Sequence, residues 1–183
     1  MKNKTKQITV SAVLLAVATV LSIFPKIDIV ANGGSITVCS MLPIILISYF
    51  YGIKWGILSS VTYGMLQLML EAALPPANNL FAVILCIILE YIIAFGILGF
   101  GGIFKGKLNS TSAELIAGVI LTLSIRFLCH FVAGAIIWGS IIDFGSWQYS
   151  LFYNGSYMLP EVIITSMGAF AVGKALPTQS LIN

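Results

Sequence analysis

The chain has 183 residues, of which 59% are apolar and only 8% charged, with a formal net charge of +3. Soluble domains carry roughly 25% charged residues, and the polar residues here are too few to clothe an apolar core of this size. The composition therefore excludes a soluble enzyme or a nucleic-acid-binding module. It points instead to a lipid bilayer as solvent. A span takes about 20 residues, so the chain holds six and little else. The reading is an all-α integral membrane protein, a single domain over residues 1–183.

Charged and turn-prone residues punctuate the apolar runs in chain order. After the lysine-rich start Met1-Lys-Asn-Lys-Thr-Lys6, a first helix is expected over 8–24, retained because no small-residue cleavage site and soluble mature part follow. Pro25, Lys26 and Asp28 close it. Asn32-Gly33-Gly34-Ser35 is turn chemistry, so the second span is expected over 37–52. The third, 55–71, ends at Glu71 and Pro75-Pro76. The fourth, 80–104, contains Glu90, and the fifth, 114–138, contains Arg126 and His130. The sixth, 156–173, is expected to carry Pro160 and Glu161 in its first turns, where a proline costs little because the first N–H groups lack helical partners.

Six spans put both termini on one side. With that side cytoplasmic, Lys2, Lys4, Lys6, Lys54, Lys105, Lys107 and Lys174 all lie inside and only Lys26 outside. Lysine enrichment of cytoplasmic loops makes this the expected orientation. The positive charge is thus a topology signal, and no basic patch with interleaved aromatics speaks for nucleic acid.

Three features carry no chemistry. Gly101-Gly-Ile-Phe-Lys-Gly106-Lys107 matches the GxxxxGK part of a phosphate loop, but Leu108 stands where the magnesium-binding hydroxyl belongs, and no strand precedes it. Cys39, Cys86 and Cys129 fall in three different segments without CxxC spacing, which leaves them as small apolar fillers. Asn3, Asn109 and Asn154 begin Asn-x-Ser/Thr triplets that are uninformative here. No cofactor or metal is expected.

The informative residues are polar ones at membrane depth, which cost a few kcal/mol to insert. Glu90, next to Tyr91, sits inside the fourth span. Arg126 and His130 are four residues apart and share a helix face. Trp138 lies two turns further along nearly the same face. Tyr149 and Asn154 are expected to precede the sixth helix, with Asn154 capping it, and Tyr63 falls in the outer half of the third. The alternating topology brings Tyr63, Glu90, His130, Trp138, Tyr149 and Asn154 to the outer side, with Arg126 one turn deeper in a structural or gating position. A carboxylate, an imidazole, an amide and aromatic rings describe an outward-open pocket for a small, aromatic, cationic ligand. On the first helix, Ala12-Val-Leu-Leu-Ala16 is a small-xxx-small pattern that lets another helix approach closely in lipid.

These residues resemble the thiamine-specific S-components, the ThiT or YuaJ family, of energy-coupling factor transporters. The resemblance runs from Ala12 to about Val172. Its carriers are Ala12-x-x-x-Ala16 with Pro25, Met41-Leu-Pro-Ile44, Tyr51-Gly52, Tyr63-Gly64 and Leu89-Glu90-Tyr91. His130-Phe131-x-Ala133-Gly134-x-x-x-Trp138 and Tyr149-Ser150-Leu151-x-x-Asn154-Gly155 complete the set. Some members have tryptophans where this chain has Gly34 and Tyr63, and the stretch 70–84 is longer here than in some.

The resemblance implies capture of thiamine from outside, with no chemistry on it. It implies as partners a membrane coupling subunit and two ATP-hydrolysing subunits. Glu90, Tyr91, His130, Trp138, Tyr149 and Asn154 then look like thiamine-contacting positions, and Ala12 and Ala16 like the pair that docks on the coupling subunit. The implied place is the bacterial plasma membrane. Two alternatives are an S-component for another small vitamin or pyrimidine precursor, and an intramembrane enzyme with Glu90 and His130 as acid and base. Against the enzyme stands the lack of a metal triad, nucleophile elbow or paired catalytic carboxylates in the sequence.

Overall fold

The computed structural model describes residues 4–30, 34–72, 74–75, 80–138 and 146–176, including all side chains in these ranges except those of Val30 and Trp138. Six helices dominate the described residues: α1 (Lys4–Ile23), α2 (Leu42–Tyr51), α3 (Ile53–Glu71), α4 (Leu80–Phe100), α5 (Thr111–Ala133) and α6 (Ser146–Ala175). Among the described residues four segments, Lys4–Ile23, Leu80–Phe100, Thr111–Ile137 and Ser146–Ala175, are long and apolar enough to cross a membrane. Their outward faces carry exposed Val13, Val20, Phe81, Leu159 and Met167. Exposed apolar surface on this scale suits lipid contact.

The short helix α2 is the centre of the bundle. Its sequence LPIILISYFY is apolar all round, and every residue from Leu42 to Tyr49 is buried, as a core helix requires. Ten residues rise only about 15 Å, half a bilayer's hydrocarbon. Ile44, Ile45 and Ile47 meet Leu98 of α4 and Leu115, Val119 and Leu123 of α5 in the same core. Gly52 separates α2 from α3 with φ +91°, a left-handed conformation that glycine adopts without penalty.

Polar contacts define the two ends of the bundle. At one end Ser11 of α1 accepts from Trp55 of α3 (2.8 Å), Ser48 of α2 donates to the Gly99 carbonyl (2.5 Å), Tyr49 donates to Glu114 of α5 (2.5 Å), and Ser112 donates to the Phe170 carbonyl of α6 (3.1 Å). Lys4, Lys6, Lys54, Lys105, Lys107 and Lys174 belong to the helix ends and turns there. At the other end Gln67 of α3 donates to Ser22 of α1 (2.9 Å), and Asn154 of α6 donates to the His130 carbonyl of α5 (3.2 Å).

The structure corrects several expectations. A two-stranded antiparallel hairpin, β1 (Lys26–Val30) and β2 (Gly34–Thr37), interrupts the helical order, pairing Lys26 with Thr37 and Asp28 with Ser35. Lys26-Ile-Asp-Ile alternates polar and β-branched residues, a strand pattern. The helix expected from 37 therefore starts at Leu42, after a turn in which Cys39 has φ +58°. The fourth helix ends at Phe100 rather than 104. The fifth begins at Thr111, not 114, because the Ser110 side chain caps it by accepting from the Ala113 N–H (3.2 Å). The largest correction is α6. It begins ten residues before 156, so Tyr149 and Asn154 lie within it, Asn154 is no cap, and Pro160 sits in its interior. Packed membrane helices tolerate interior proline because neighbouring groups satisfy the freed carbonyl.

Candidate functional site

At the hairpin end, a cavity of about 680 Å³ opens between the hairpin, α1 and α3–α6. It gathers Tyr63, Glu90, Tyr91, His130, Tyr149 and Asn154 of the expected set. The Trp138 backbone closes the π-helical turn after α5, and its side chain lies outside the described residues. Ala12 and Ala16 are elsewhere, exposed on α1. Ala12 borders a shallow groove of about 210 Å³ with Ser11, Leu15, Trp55 and Leu58.

Local helix irregularities set the cavity wall. Ile87–Ile93 of α4 is π-helical and centres on Glu90. The chain turns π-helical again at Gly134–Trp138. Such wide turns release backbone groups and recur at functional sites. Here the carbonyls of His130 and Phe131, shared with the Gly134 N–H, also accept from Asn154 Nδ2 (3.2 Å) and Ser150 Oγ (2.6 Å). Gly134 permits this close α5–α6 approach: a Cβ there would lie 2.4 Å from Ser150 Oγ and 3.0 Å from Asn154 Nδ2.

Asn154 is thereby committed to the protein. Its Nδ2 also donates to the Ser150 carbonyl (3.0 Å), while Oδ1 accepts from Tyr157 (2.7 Å). Tyr149, Tyr153 and Tyr157 follow at four-residue spacing along α6, with ring centroids 5.5 and 6.0 Å apart. They form an aromatic wall. Tyr153 also holds the hairpin by accepting from the Gly34 N–H (3.2 Å).

On the opposite wall Phe95 is the hub. Tyr91 stacks on it at 6.3 Å, Tyr63 meets it edge-on at 5.3 Å, and the Arg126 guanidinium lies 3.7 Å over its ring. Arg126 Nε and Nη1 have no hydrogen-bond partner among the described residues, and neither does His130 Nε2. Lys26 reaches Glu71 of α3 at 3.0 Å, tying the hairpin's near edge to the cavity mouth.

Sequence reasoning missed Glu161, which is only 1% exposed and lines the cavity. Its carboxylate accepts from the Thr37 N–H (2.9 Å) and hydroxyl (2.6 Å), and that hydroxyl pairs with Ser40 (2.6 Å). Placing the helix start at 156 hid the signal. Asn154, Tyr157, Met158 and Glu161 at i, i+3, i+4 and i+7 share one face once α6 is continuous. Tyr153 was missed for the same reason, and Gln67 of α3 as a polar member of a face turned inward.

Comparison with known proteins accords with this arrangement. The family model described as thiamine transporter protein (Thia_YuaJ) matches residues 8–180. The chain is 32% identical over 169 residues to the thiamine transporter ThiT of Bacillus subtilis, covering 85% of this chain and 84% of that protein. It is 30% identical over 125 residues to ThiT of Lacticaseibacillus paracasei, covering 62% and 57% respectively. In fold it matches a solved structure of ThiT from Listeria monocytogenes with TM-score 0.76 and 24% identity, over 96% of this chain and 97% of that one. The family's role is transport, which sets aside the intramembrane enzyme. This chain is a multi-pass membrane protein, and it belongs to the thiamine transporter (Thia_YuaJ) family.

Proposed function

We propose that this protein is the high-affinity thiamine-binding S-component of an energy-coupling factor importer in a bacterial plasma membrane. The observation that carries the reading is the cavity itself, where Glu90, His130 and the tyrosine wall of α6 converge at one end of the bundle. Its volume lies within the few hundred to a thousand Å³ typical of small-ligand sites. By formal charge the wall sets the carboxylates of Glu71, Glu90 and Glu161 against Lys26 and Arg126, an excess of one negative charge. That charge complements a monocation, and the aromatic faces attract it further.

Glu90 neutralises the thiazolium or accepts from the aminopyrimidine, while His130, Trp138 and the tyrosines contact the rings. Asn154 serves by fixing the α5–α6 corner on which His130 and Gly134 stand. The lysines at the far end favour a cytoplasmic placement of that end and of both termini, so the cavity opens outward. The exposed Ala12 and Ala16 offer a small-residue surface on which a coupling-subunit helix packs closely, with ATP hydrolysis on two further subunits.

Titration of the purified protein with thiamine, without ATP or partners, should give a saturable change in tryptophan fluorescence at submicromolar ligand. Silence at micromolar thiamine sinks the proposal. Glu90→Gln should weaken binding roughly ten- to a hundred-fold, the weight of a charge-assisted contact, and an unchanged affinity would remove that role from Glu90.

A further inference from the structure

We infer that the hairpin is an interfacial membrane element: strand β1 seats Ile27 and Ile29 in the lipid leaflet at the cavity end, while the hairpin's other face lines the cavity. The inference needs the bilayer but not the identity of the ligand, so it stands apart from the thiamine reading.

The two faces of the hairpin differ in chemistry. Residues paired across two strands share a face, and here Lys26 pairs with Thr37 and Asp28 with Ser35. Lys26, Ser35 and Thr37 line the cavity. Ile27 alternates to the opposite face, where it is 60% exposed. Ile29, at the register shift that follows Asp28, is exposed as well and does not line the cavity. The two strands differ too. β2 is the inner one: Ile36, opposite Ile27, is only 8% exposed, and Gly34 and Thr37 are bonded to Tyr153 and Glu161 of α6. β1 is the outer one, with no further strand beside it among the described residues.

What covers this apolar strip follows from its continuation. On α1, Val13, Val17, Val20 and Phe24 are all exposed, and their i, i+4, i+7, i+11 spacing makes them one stripe. The Phe24 N–H still donates to the Val20 carbonyl (2.9 Å), which carries the stripe to the turn just before β1. At the same end of the bundle exposed Phe81 stands in the first turn of α4 and exposed Trp147 in that of α6. Tryptophan collects at the membrane–water boundary. The lipid that solvates the α1 stripe therefore extends over Ile27 and Ile29. Depth is bounded from the other side. The open edge of β1 carries backbone N–H and C=O groups that hydrocarbon cannot satisfy, and the Asp28 side chain is exposed. The strand lies at the headgroup boundary, with its isoleucines on the acyl side and its edge and Asp28 within reach of water. The bilayer thus backs one wall of the cavity.

The test uses the full chain in phosphatidylcholine nanodiscs. With wild type, phosphatidylcholine carrying a diazirine on its acyl chain should crosslink to residues 24–29 as well as to residues 13–20, read by mass spectrometry. A labelled helix beside an unlabelled hairpin overturns the inference, and needs no variant to fold. Spin labels on Ile27→Cys, Asp28→Cys and Ile29→Cys then read the alternation, with wild type labelled in parallel for the background of Cys39, Cys86 and Cys129. The ratio of collisions with oxygen to collisions with a water-soluble nickel chelate should be several-fold higher at 27 and 29 than at 28. Equal access of the chelate to all three positions places the hairpin in water. Shielding of 27 and 29 from both probes places a protein surface there, a second copy or another subunit. Either result overturns the inference.

Discussion

Glu161 shows what a buried carboxylate does in a wall of this kind. It is nearly inaccessible, and its oxygens take two donors from Thr37, tying α6 to the hairpin-to-α2 turn. Bonds to an ionised acceptor are about twice as strong as neutral ones. Removing the carboxylate leaves a buried N–H unpaired at a cost of about 1–3 kcal/mol. Glu161→Ala should therefore lower the melting temperature in detergent by several degrees, since about 1 kcal/mol shifts a protein of this size by about 2–4 °C. Glu161→Gln, which keeps one acceptor oxygen, should fall between. By contrast Lys26–Glu71 spans partly exposed side chains at the cavity mouth. Such pairs contribute about 0–1 kcal/mol, so Lys26→Met should leave the melting temperature almost unchanged while raising hydrogen exchange along β1. Of the site's residues, Glu90 and His130 were legible because a charge or imidazole inside an apolar run is conspicuous. Arg126 was equally visible, but its unpaired N–H groups depend on neighbours from other helices.

Among the elements, the α5–α6 corner is defined by close contact. Gly134, Ser150 and Asn154 occupy one small volume, with released carbonyls of α5 answered by side chains of α6. Gly134→Ala drives a methyl into Ser150 Oγ and should destabilise the protein. Adding Ser150→Ala removes the atom at 2.4 Å and should restore part of the loss, a non-additivity expected of residues in contact. Additive melting temperatures would show that the corner yields elsewhere. The sequence hid the first ten residues of α6 for a physical reason. Tyr149, Ser150, Tyr153 and Asn154 dilute its hydropathy because they face a cavity, so a search for uninterrupted apolar runs starts the helix too late. The hairpin was overlooked likewise: four alternating residues are a short signal beside long helical runs, although β-branched alternation was present in Lys26-Ile-Asp-Ile.

For the whole molecule, the separation of lysines from the cavity predicts orientation. Single cysteines at Lys4 and Lys174 should react with an impermeant maleimide only after cells are opened, whereas one at Asp28 should react in intact cells. The reverse pattern would turn the cavity inward and defeat capture from outside. Tryptophan at Ala12 and Ala16 should leave thiamine binding intact and abolish uptake, because both side chains are exposed on α1 away from the cavity.

The sequence by itself determined the solvent, the number of helices, the family and the set of polar residues that gather at one end. These follow from composition and spacing, which act locally along the chain. Only the tertiary structure decided that Asn154 is spent on holding α5 to α6, that Glu161 anchors the hairpin, and that two buried nitrogens of Arg126 have no hydrogen-bond partner among the described residues. Hydrogen-bond satisfaction depends on which groups from distant segments meet, and no spacing along a single helix contains that information.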